Sequence, residues 1–124
     1  MGILEPIKKD LIVLSCDDIL NGIFDDQFPL KIWQTGSGTQ TNMNVNEVIS
    51  NIGALKNGSE IGKNKPLHPN DDVNKCQSTN DTFPAAIQIS VAKEINNKLF
   101  HSIDKIYESL ESKKEAWKSF IKIG

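Results

Sequence analysis

Residues 34–46 crowd uncharged hydrogen-bonding side chains around two glycines. The centre of this polar stretch, Gly36-Ser-Gly-Thr-Gln-Thr41, offers hydroxyl donors beside glycines whose backbone N–H groups can turn toward a ligand. No charge occurs before Glu47 and a helix start follows directly, which separates the stretch from a disordered polar tract. The N-terminal end of that helix favours an anion such as a carboxylate. The residue types therefore predict one wall of a small polar site, and a capped turn remains an equally good explanation of them.

A second polar segment, residues 67–75, reads Leu-His-Pro-Asn-Asp-Asp-Val-Asn-Lys. It groups the titratable imidazole of His68 with the amide of Asn70 and the carboxylate of Asp71. A single histidine in such a segment is more often a cap or a surface residue than a ligand group.

A third segment, residues 77–84, precedes a long apolar pattern. Two hydroxyls and an amide stand at the expected start of that helix, on Ser78, Thr79 and Asn80. This is again a position that favours an anion.

Composition excludes several other classes of function. The 124 residues suit one modest domain or a piece of something larger, and a net charge of −2 supplies no basic field for nucleic acid or anionic lipid. No apolar run approaches the ~20 residues of a membrane span. The two cysteines, Cys16 and Cys76, lack the spacing of a metal site and predict reduced thiols rather than a disulfide.

Short elements must position the three polar segments. A proline at the first position and Asn-Gly after the last predict a helix over residues 6–20. An extended segment is expected over residues 27–34, because its alternation is weak and contains a proline. A second helix is expected over residues 42–55, capped by Thr39 or Thr41.

A long helix should follow, with Asp81 or Thr82 as its cap, Pro84 in its first turn and its end near Ser119. Such a helix has about 36 residues and spans ~54 Å at ~1.5 Å per residue. Its apolar residues recur every three or four positions as Ile87, Val91, Ile95, Leu99, Ile103, Ile106 and Leu110. Because a chain of this size cannot cover so long an apolar stripe, we expect the stripe to pack on helices from outside this chain.

Together the three polar segments resemble the class II fumarases, the fumarate hydratases of the fumarase/aspartase superfamily. The matching text covers residues 28–49, 68–75 and 77–84, and weaker similarity extends over nearly the whole chain. The resemblance implies a mainly α fold of short helices and polar loops leading into a long central-bundle helix. Residues 1–81 would then belong to the N-terminal helical domain and residues 82–124 to the central helical bundle.

The same resemblance implies the reversible hydration of fumarate to L-malate, a step of the tricarboxylic acid cycle, without a metal or an organic cofactor. Family members are homotetramers whose long helices share one bundle, which accounts for the stripe. A cytoplasmic location is expected, or a mitochondrial one in a eukaryote. Neither a nucleic acid nor a membrane is expected as a partner.

By similarity, two segments would contact the substrate and a third would form an accessory dicarboxylate site. The substrate-binding residues would be Ser37, Gly38, Thr39, Ser78, Thr79 and Asn80. The accessory-site residues would be His68, Pro69, Asn70 and Asp71. No catalytic residue is expected in this chain, because the catalytic histidine and serine of the family follow the segment that matches Gly124.

The chain is therefore expected to be an internal portion of a fumarase that is inactive by itself. Ile52 and Gly53 stand where the family usually has Arg-Ala, and Lys65 replaces an arginine of the accessory site. One alternative is an aspartate ammonia-lyase, from which the text of residues 32–41 differs. The other is a non-catalytic truncated product that acts as an assembly fragment.

Overall fold

The computed structural model describes residues 2–31, 33, 38–121 and 123–124. These residues form helices and turns, and no β-strand occurs among them. The predicted mainly α fold is therefore confirmed. The chain divides into two compact units, Met1–Pro84 and Ala85–Gly124.

The first helix, α1, spans Pro6–Leu20, the range predicted from the sequence. Its proline occupies the first turn, where no intrahelical donor is needed. Gly22 then turns the chain with a φ of +74°, a conformation that costs glycine little. A short 3₁₀ turn at Asp25–Gln27 follows, so the expected extended segment cannot begin before residue 28.

The second helix, α2, spans Thr39–Lys56 and begins three residues earlier than predicted. The prediction that Thr39 or Thr41 caps it is wrong, because both already lie inside the helix and Gly38 is the cap. Gly38 has a φ of +73°, and its carbonyl accepts the N–H of Asn42 at 3.0 Å. A side chain at this position would be strained and would overlap the ring of Phe83.

The core of the first unit lies between α1, α2 and the segment that follows α2. Its fully buried centre is Leu67, against which Leu11, Ile49 and Val73 pack. Ser50 donates its hydroxyl to the carbonyl of Leu67 at 2.6 Å, so the core also contains a buried polar anchor. This small core fixes the polar segment of residues 67–75 to α2.

A helical turn of π type, which the sequence analysis did not anticipate, spans Pro69–Val73. It is tied to α1 by the ion pair of Lys8 with Asp72. A second ion pair, Lys56–Asp18 at 2.7 Å, joins the end of α2 to α1. Charge therefore supplements the core at both ends of α1.

The long helix begins three residues earlier than predicted and comprises α3 at Thr79–Glu94, a π-type turn at Ile95–Leu99 and α4 at Phe100–Ala116. Ser78, rather than Asp81 or Thr82, caps it, because its hydroxyl accepts the N–H of Asn80 at 3.3 Å. Pro84 accordingly lies inside α3 rather than in its first turn.

The second unit exposes the apolar stripe of the long helix. Ile87, Leu99 and Ile103 are each 49% exposed, and Leu110 is 61% exposed. The helix ends at Ala116 rather than near Ser119. None of the helices in the described part of the chain has the length and apolar character needed to cross a membrane.

Candidate functional site

The side-chain amide of Asn42 joins two of the predicted polar segments. Its Nδ2 donates to Oδ1 of Asn74 at 3.1 Å and to Oγ1 of Thr79 at 3.0 Å. Asn42 lies in the first turns of α2, within the polar stretch of residues 34–46, whereas Thr79 opens α3. Because an amide nitrogen has two hydrogens, both bonds can form together. The bonds therefore tie the beginning of α2 to the beginning of α3.

Asn74 is the centre of this amide cluster, which we define as Asn42, Asn46, Asn74 and Gln77. Its Oδ1 also accepts Nδ2 of Asn46 at 3.2 Å, and its own Nδ2 donates to the carbonyl of Gln77 at 3.3 Å. Asn46 is only 5% exposed, so its amide would be costly to leave unpaired. The cluster thus holds its members with several mutually dependent bonds.

The glycine of the predicted carboxylate site lies beside α3. Gly38 is buried, and the ring of Phe83 occupies the space where a side chain at residue 38 would stand. Thr39 follows as the exposed first residue of α2. Ser37, the remaining candidate of this segment, lies outside the described residues. The described part of the segment is therefore next to the segment that carries Ser78, Thr79 and Asn80.

The hydroxyls at the start of α3 keep protons to donate. Thr79 Oγ1 accepts from Asn42, and Ser78 Oγ accepts the backbone N–H of Asn80. A hydroxyl that accepts a hydrogen bond retains its own O–H for another acceptor. Ser78 and Asn80 are exposed and Thr79 is half-buried. An anion at this helix start would meet such donors together with the positive end of the helix dipole.

His68 caps the turn Pro69–Val73 with its imidazole. Nδ1 accepts the backbone N–H of Asn70 at 3.3 Å and that of Asp71 at 3.1 Å. A ring nitrogen that accepts these bonds carries no proton, so the proton of the neutral ring is on Nε2. The carboxylate of Asp71 lies 3.5 Å from the same Nδ1, which without a proton cannot form an ion pair with it. His68 is therefore the cap that its residue type suggested.

Asp72 links this turn to α1. Nζ of Lys8 donates to its two carboxylate oxygens at 2.8 and 3.0 Å, and the backbone N–H of His68 donates to Oδ2 at 2.9 Å. Burial raises the pKa of Asp72, but the hydrogen bonds from Lys8 and His68 outweigh it, so the pKa lies below its usual value. Its carboxyl group is therefore ionised at neutral pH.

His68, Asp71 and Asp72 line a shallow groove of about 610 Å³, which we call the histidine groove. Its other walls come from α1 and from the loop before the turn. They are formed by Lys8, Asn57, Ser59, Asn64, Lys65 and Pro66. Of the four predicted accessory-site residues, His68 and Asp71 line this groove, whereas Asn70 and the buried Pro69 are not part of its lining.

The described residues contain no group of three or more histidine, cysteine or acidic side chains that could hold a metal ion. Cys16 and Cys76 are free thiols, as the sequence predicted. Burial raises the pKa of the Cys16 thiol, with a smaller contribution from the charge of Asp17, so the thiol is protonated at neutral pH.

Sequence reasoning missed the residues that position the candidates, namely Asn42, Asn74, Lys8 and Asp72. The four-residue spacing of Asn42 and Asn46 was an available signal, because it places both amides on one face of a helix. No local signal could pair Lys8 with Asp72, which lie 64 positions apart.

Comparison with known proteins places the chain among lyases. The family model described as Lyase matches residues 2–124. Over 124 residues the chain is 64% identical to "Fumarate hydratase class II" of Prochlorococcus marinus subsp. pastoris and 50% identical to the protein of that name from Haemophilus influenzae. Each alignment covers 100% of this chain and 27% of the relative.

A solved structure resembles the fold as well. The native form of "fumarate lyase:delta crystallin" from Brucella melitensis superposes with a TM-score of 0.86 at 38% identity. That superposition covers 98% of this chain and 28% of the other. The chain thus spans about a quarter of the length of the relatives that it matches.

Proposed function

Because the chain belongs to the lyase family, we propose that it forms part of a class II fumarate hydratase, which converts fumarate reversibly to L-malate. Within that enzyme the chain would supply donors for the substrate carboxylate. The names and identities of its relatives support this assignment over an aspartate ammonia-lyase. The reaction would be the fumarate hydration step of the tricarboxylic acid cycle, in the cytoplasm.

One observation supports this role more than any other: the amide of Asn42 links the start of α2 to Thr79. The two segments whose residues resemble substrate ligands are therefore neighbours in the fold. Gly38 against Phe83 is a second contact between them. Ser37, Gly38 and Thr39 would bind one side of the carboxylate, and Ser78, Thr79 and Asn80 the other.

The chemistry of these groups suits a reaction that builds negative charge. Removing a proton next to a carboxylate increases the charge on that carboxylate. Neutral donors that are already oriented stabilise this charge in the transition state without reorganising. The chain would therefore bind and orient the substrate, and the groups that move the proton would come from other parts of the enzyme.

The histidine groove would be the accessory dicarboxylate site, with His68, Asn70 and Asp71 around a ligand and Pro69 supporting the turn. The neutral imidazole offers an Nε2 donor, and Lys65 on the same groove offers a cation that forms no ion pair within the described residues. A carboxylate accepts strong hydrogen bonds from a cation and further bonds from a neutral donor.

Residues 82–124 would be the first long helix of a central bundle in a homotetramer. The support comes from the exposed stripe that includes Val91, Ile106 and Leu110, which are 51%, 61% and 61% exposed. So long a row of exposed apolar side chains marks an interaction surface. Equivalent helices from other copies would cover it.

A chimera tests the proposed activity. The 124 residues of this chain would replace the aligned segment of the Haemophilus influenzae relative, which is 50% identical. We expect the chimera to hydrate fumarate, as followed by loss of ultraviolet absorbance, at a rate within about tenfold of the parent enzyme.

The matched variant carries Thr79→Val in the same chimera. Valine keeps the shape of threonine but removes the hydroxyl, so fumarate hydration should fall about a hundredfold through loss of one oriented donor. Full activity of the valine chimera would contradict the assigned role of Thr79. An inactive but correctly assembled unmutated chimera would contradict the proposed function itself.

A further inference from the structure

Lys8 stands outside every motif that resembles a ligand site, yet it contacts the turn that carries one. Its ammonium group donates to both carboxylate oxygens of Asp72, at 2.8 and 3.0 Å. We propose that Lys8 and Asp72 are positioning residues that orient His68 and thereby set the affinity of the histidine groove for a dicarboxylate. This inference rests on the proposed accessory site.

The backbone of His68 is held by Asp72. Oδ2 of Asp72 accepts the N–H of His68 at 2.9 Å and also one of the two bonds from Lys8. The side chain of Asp72 is only 11% exposed, so water competes little for these bonds. Without the cation, the carboxylate would be drawn toward solvent and would loosen its hold on His68.

The imidazole of His68 is held from the other side. Nδ1 accepts the backbone N–H groups of Asn70 and Asp71, which fixes the orientation of the ring relative to the turn. This arrangement leaves the Nε2–H as the donor that a ligand can meet. Orientation of the ring therefore depends on the turn, and the position of the turn relative to α1 depends on Lys8.

The location of the pair also supports a functional role. Lys8, Asp72 and His68 all line the histidine groove, together with Lys65. Because two of the three ammonium hydrogens of Lys8 are used by Asp72, the cation stays fixed at the groove wall. An ion pair that served stability alone would not need to lie beside the candidate ligand groups.

The chain contains a matched control for the effect of losing an ion pair. Lys56–Asp18 also anchors α1, has an N–O distance of 2.7 Å, and has side chains 31% and 25% exposed. In the Lys8–Asp72 pair the corresponding exposures are 26% and 11%. Lys56 does not belong to the groove lining. Lys56→Met therefore removes a comparable ion pair but no residue of the groove lining.

The experiment titrates the ¹⁵N-labelled chain with L-malate and follows the backbone amides of His68 and Asp72. We expect wild-type chain to bind, and His68→Ala and Lys8→Met each to weaken binding about tenfold, since a small misplacement of a ligand group has effects of this order or larger. Lys8→Arg should restore binding, because arginine can also donate two parallel bonds to Asp72. Lys56→Met should bind L-malate as wild type does.

A second readout does not depend on a ligand. The ¹⁵N chemical shifts of the imidazole report which nitrogen carries the proton, and wild-type His68 should be protonated on Nε2 at neutral pH. Lys8→Met should shift the ring toward a mixture of tautomers, whereas Lys56→Met should leave the tautomer unchanged. If Lys8 had only a structural role, Lys8→Met would change the tautomer and the affinity no more than Lys56→Met does.

The possible failures are distinguishable. If His68→Ala abolishes binding but Lys8→Met keeps the wild-type affinity and the wild-type tautomer of His68, the positioning role is overturned and the accessory site stands. Equal losses in Lys8→Met and Lys56→Met would also overturn it, since general loosening of α1 would then suffice. If wild-type chain does not bind L-malate, or binds it as well as His68→Ala does, the accessory site is wrong and the positioning role falls with it.

Discussion

The two units of the chain use the same kinds of residue in opposite ways. In Met1–Pro84, apolar side chains from distant parts of the sequence meet around Leu67, and polar side chains link α1, α2 and the turn Pro69–Val73. Among the described residues of Ala85–Gly124, nearly all large apolar side chains are exposed, and the ion pairs join residues three or four positions apart, as in Lys98–Glu94.

This difference indicates which interactions stabilise each unit. The first unit has long-range contacts, so its polar candidates can be held in place by the chain itself. The helix of the second unit depends on local bonds, and a helix in water gains most of its stability from packing of its apolar face. The candidate site therefore lies in the first unit, and the exposed apolar stripe, which we propose other helices cover, lies in the second.

Leu67→Ala is the substitution with the largest expected effect on this contrast between the units. Leu67 is fully buried, so its truncation should lower the free energy of unfolding by about 3 kcal/mol through lost burial and a residual cavity. Denaturant unfolding followed by circular dichroism measures the change. Hydrogen exchange resolved by segment should show the loss in α1 and α2.

The matched control is Leu110→Ala in the exposed stripe, where Leu110 is 61% exposed. At concentrations that keep the chain monomeric, this variant should cost about 0.5 kcal/mol or less, since leucine and alanine are both good helix formers. Equal costs at residues 67 and 110 would contradict the contrast between the units.

Two serines with similar hydrogen bonds sharpen the contrast. Ser50 donates to the carbonyl of Leu67 at 2.6 Å within the core, whereas Ser102 donates to the carbonyl of Lys98 at 2.9 Å on an exposed helix face. Ser50→Ala leaves a buried carbonyl unpaired and should cost about 2 kcal/mol. Thermal and denaturant unfolding of both variants would test this.

Ser102→Ala should change the free energy of unfolding by less than about 0.5 kcal/mol, because water can satisfy the carbonyl and alanine favours the helix. Comparable destabilisation by both substitutions would mean that the second unit is packed as tightly as the first.

Local patterns predicted the first helix, and the resemblance to a family implied the mainly α class, but neither predicted the caps of α2 and α3. The bounds of α1 follow from Pro6 and from Asn21-Gly22, whose effects are confined to neighbouring residues. The cap of α2 is Gly38 rather than a threonine because Phe83, from a distant segment, leaves no room for a side chain. Residues near position 38 in the sequence do not indicate that Phe83 packs there.

The candidate site divides in the same way. Residues such as Thr79 and His68 could be singled out by their type and by resemblance to a family, since their motifs are contiguous. The groups that hold them, including Asn74 and Lys8, act across the fold. Long-range hydrogen bonds have no period and no fixed spacing, so a single sequence does not reveal them.

The exposed stripe should govern self-association rather than the stability of the first unit. Leu99 and Ile106 are 49% and 61% exposed, and replacing both by Asp should weaken self-association at least about tenfold, or ~1.4 kcal/mol. Light scattering and sedimentation measure the change over a concentration series. Hydrogen exchange in α1 and α2 should remain as in wild type, and a wild-type chain that stays monomeric throughout would count against the stripe as an interface.

The smallest expected effect concerns charge in the first unit and depends on pH. Hydrogen bonding to Asp72 raises the pKa of Lys8 against a smaller opposing effect of burial. The pKa of Asp72 is lowered, because the hydrogen bonds from Lys8 and His68 outweigh the effect of burial. We expect Lys8→Met to reduce the free energy of unfolding by about 1 kcal/mol at neutral pH.

The direction of the pH dependence follows from these two shifts. A carboxyl group with a lowered pKa stabilises the fold above its unfolded value of about 3.9 and loses that contribution as the pH falls through its folded value. A lysine with a raised pKa contributes below about 10.4 and loses its contribution as the pH rises further. The difference in unfolding free energy between wild type and Lys8→Met should therefore be constant from about pH 5 to 9 and shrink below about pH 4.

The matched control is Lys98→Met, which removes an exposed ion pair of the second unit. It should change the free energy of unfolding by a few tenths of a kcal/mol, about the value of a helix-surface pair. An undiminished difference for Lys8→Met at about pH 2 would show that lost packing of the lysine stem, rather than the ion pair, joins α1 to the turn.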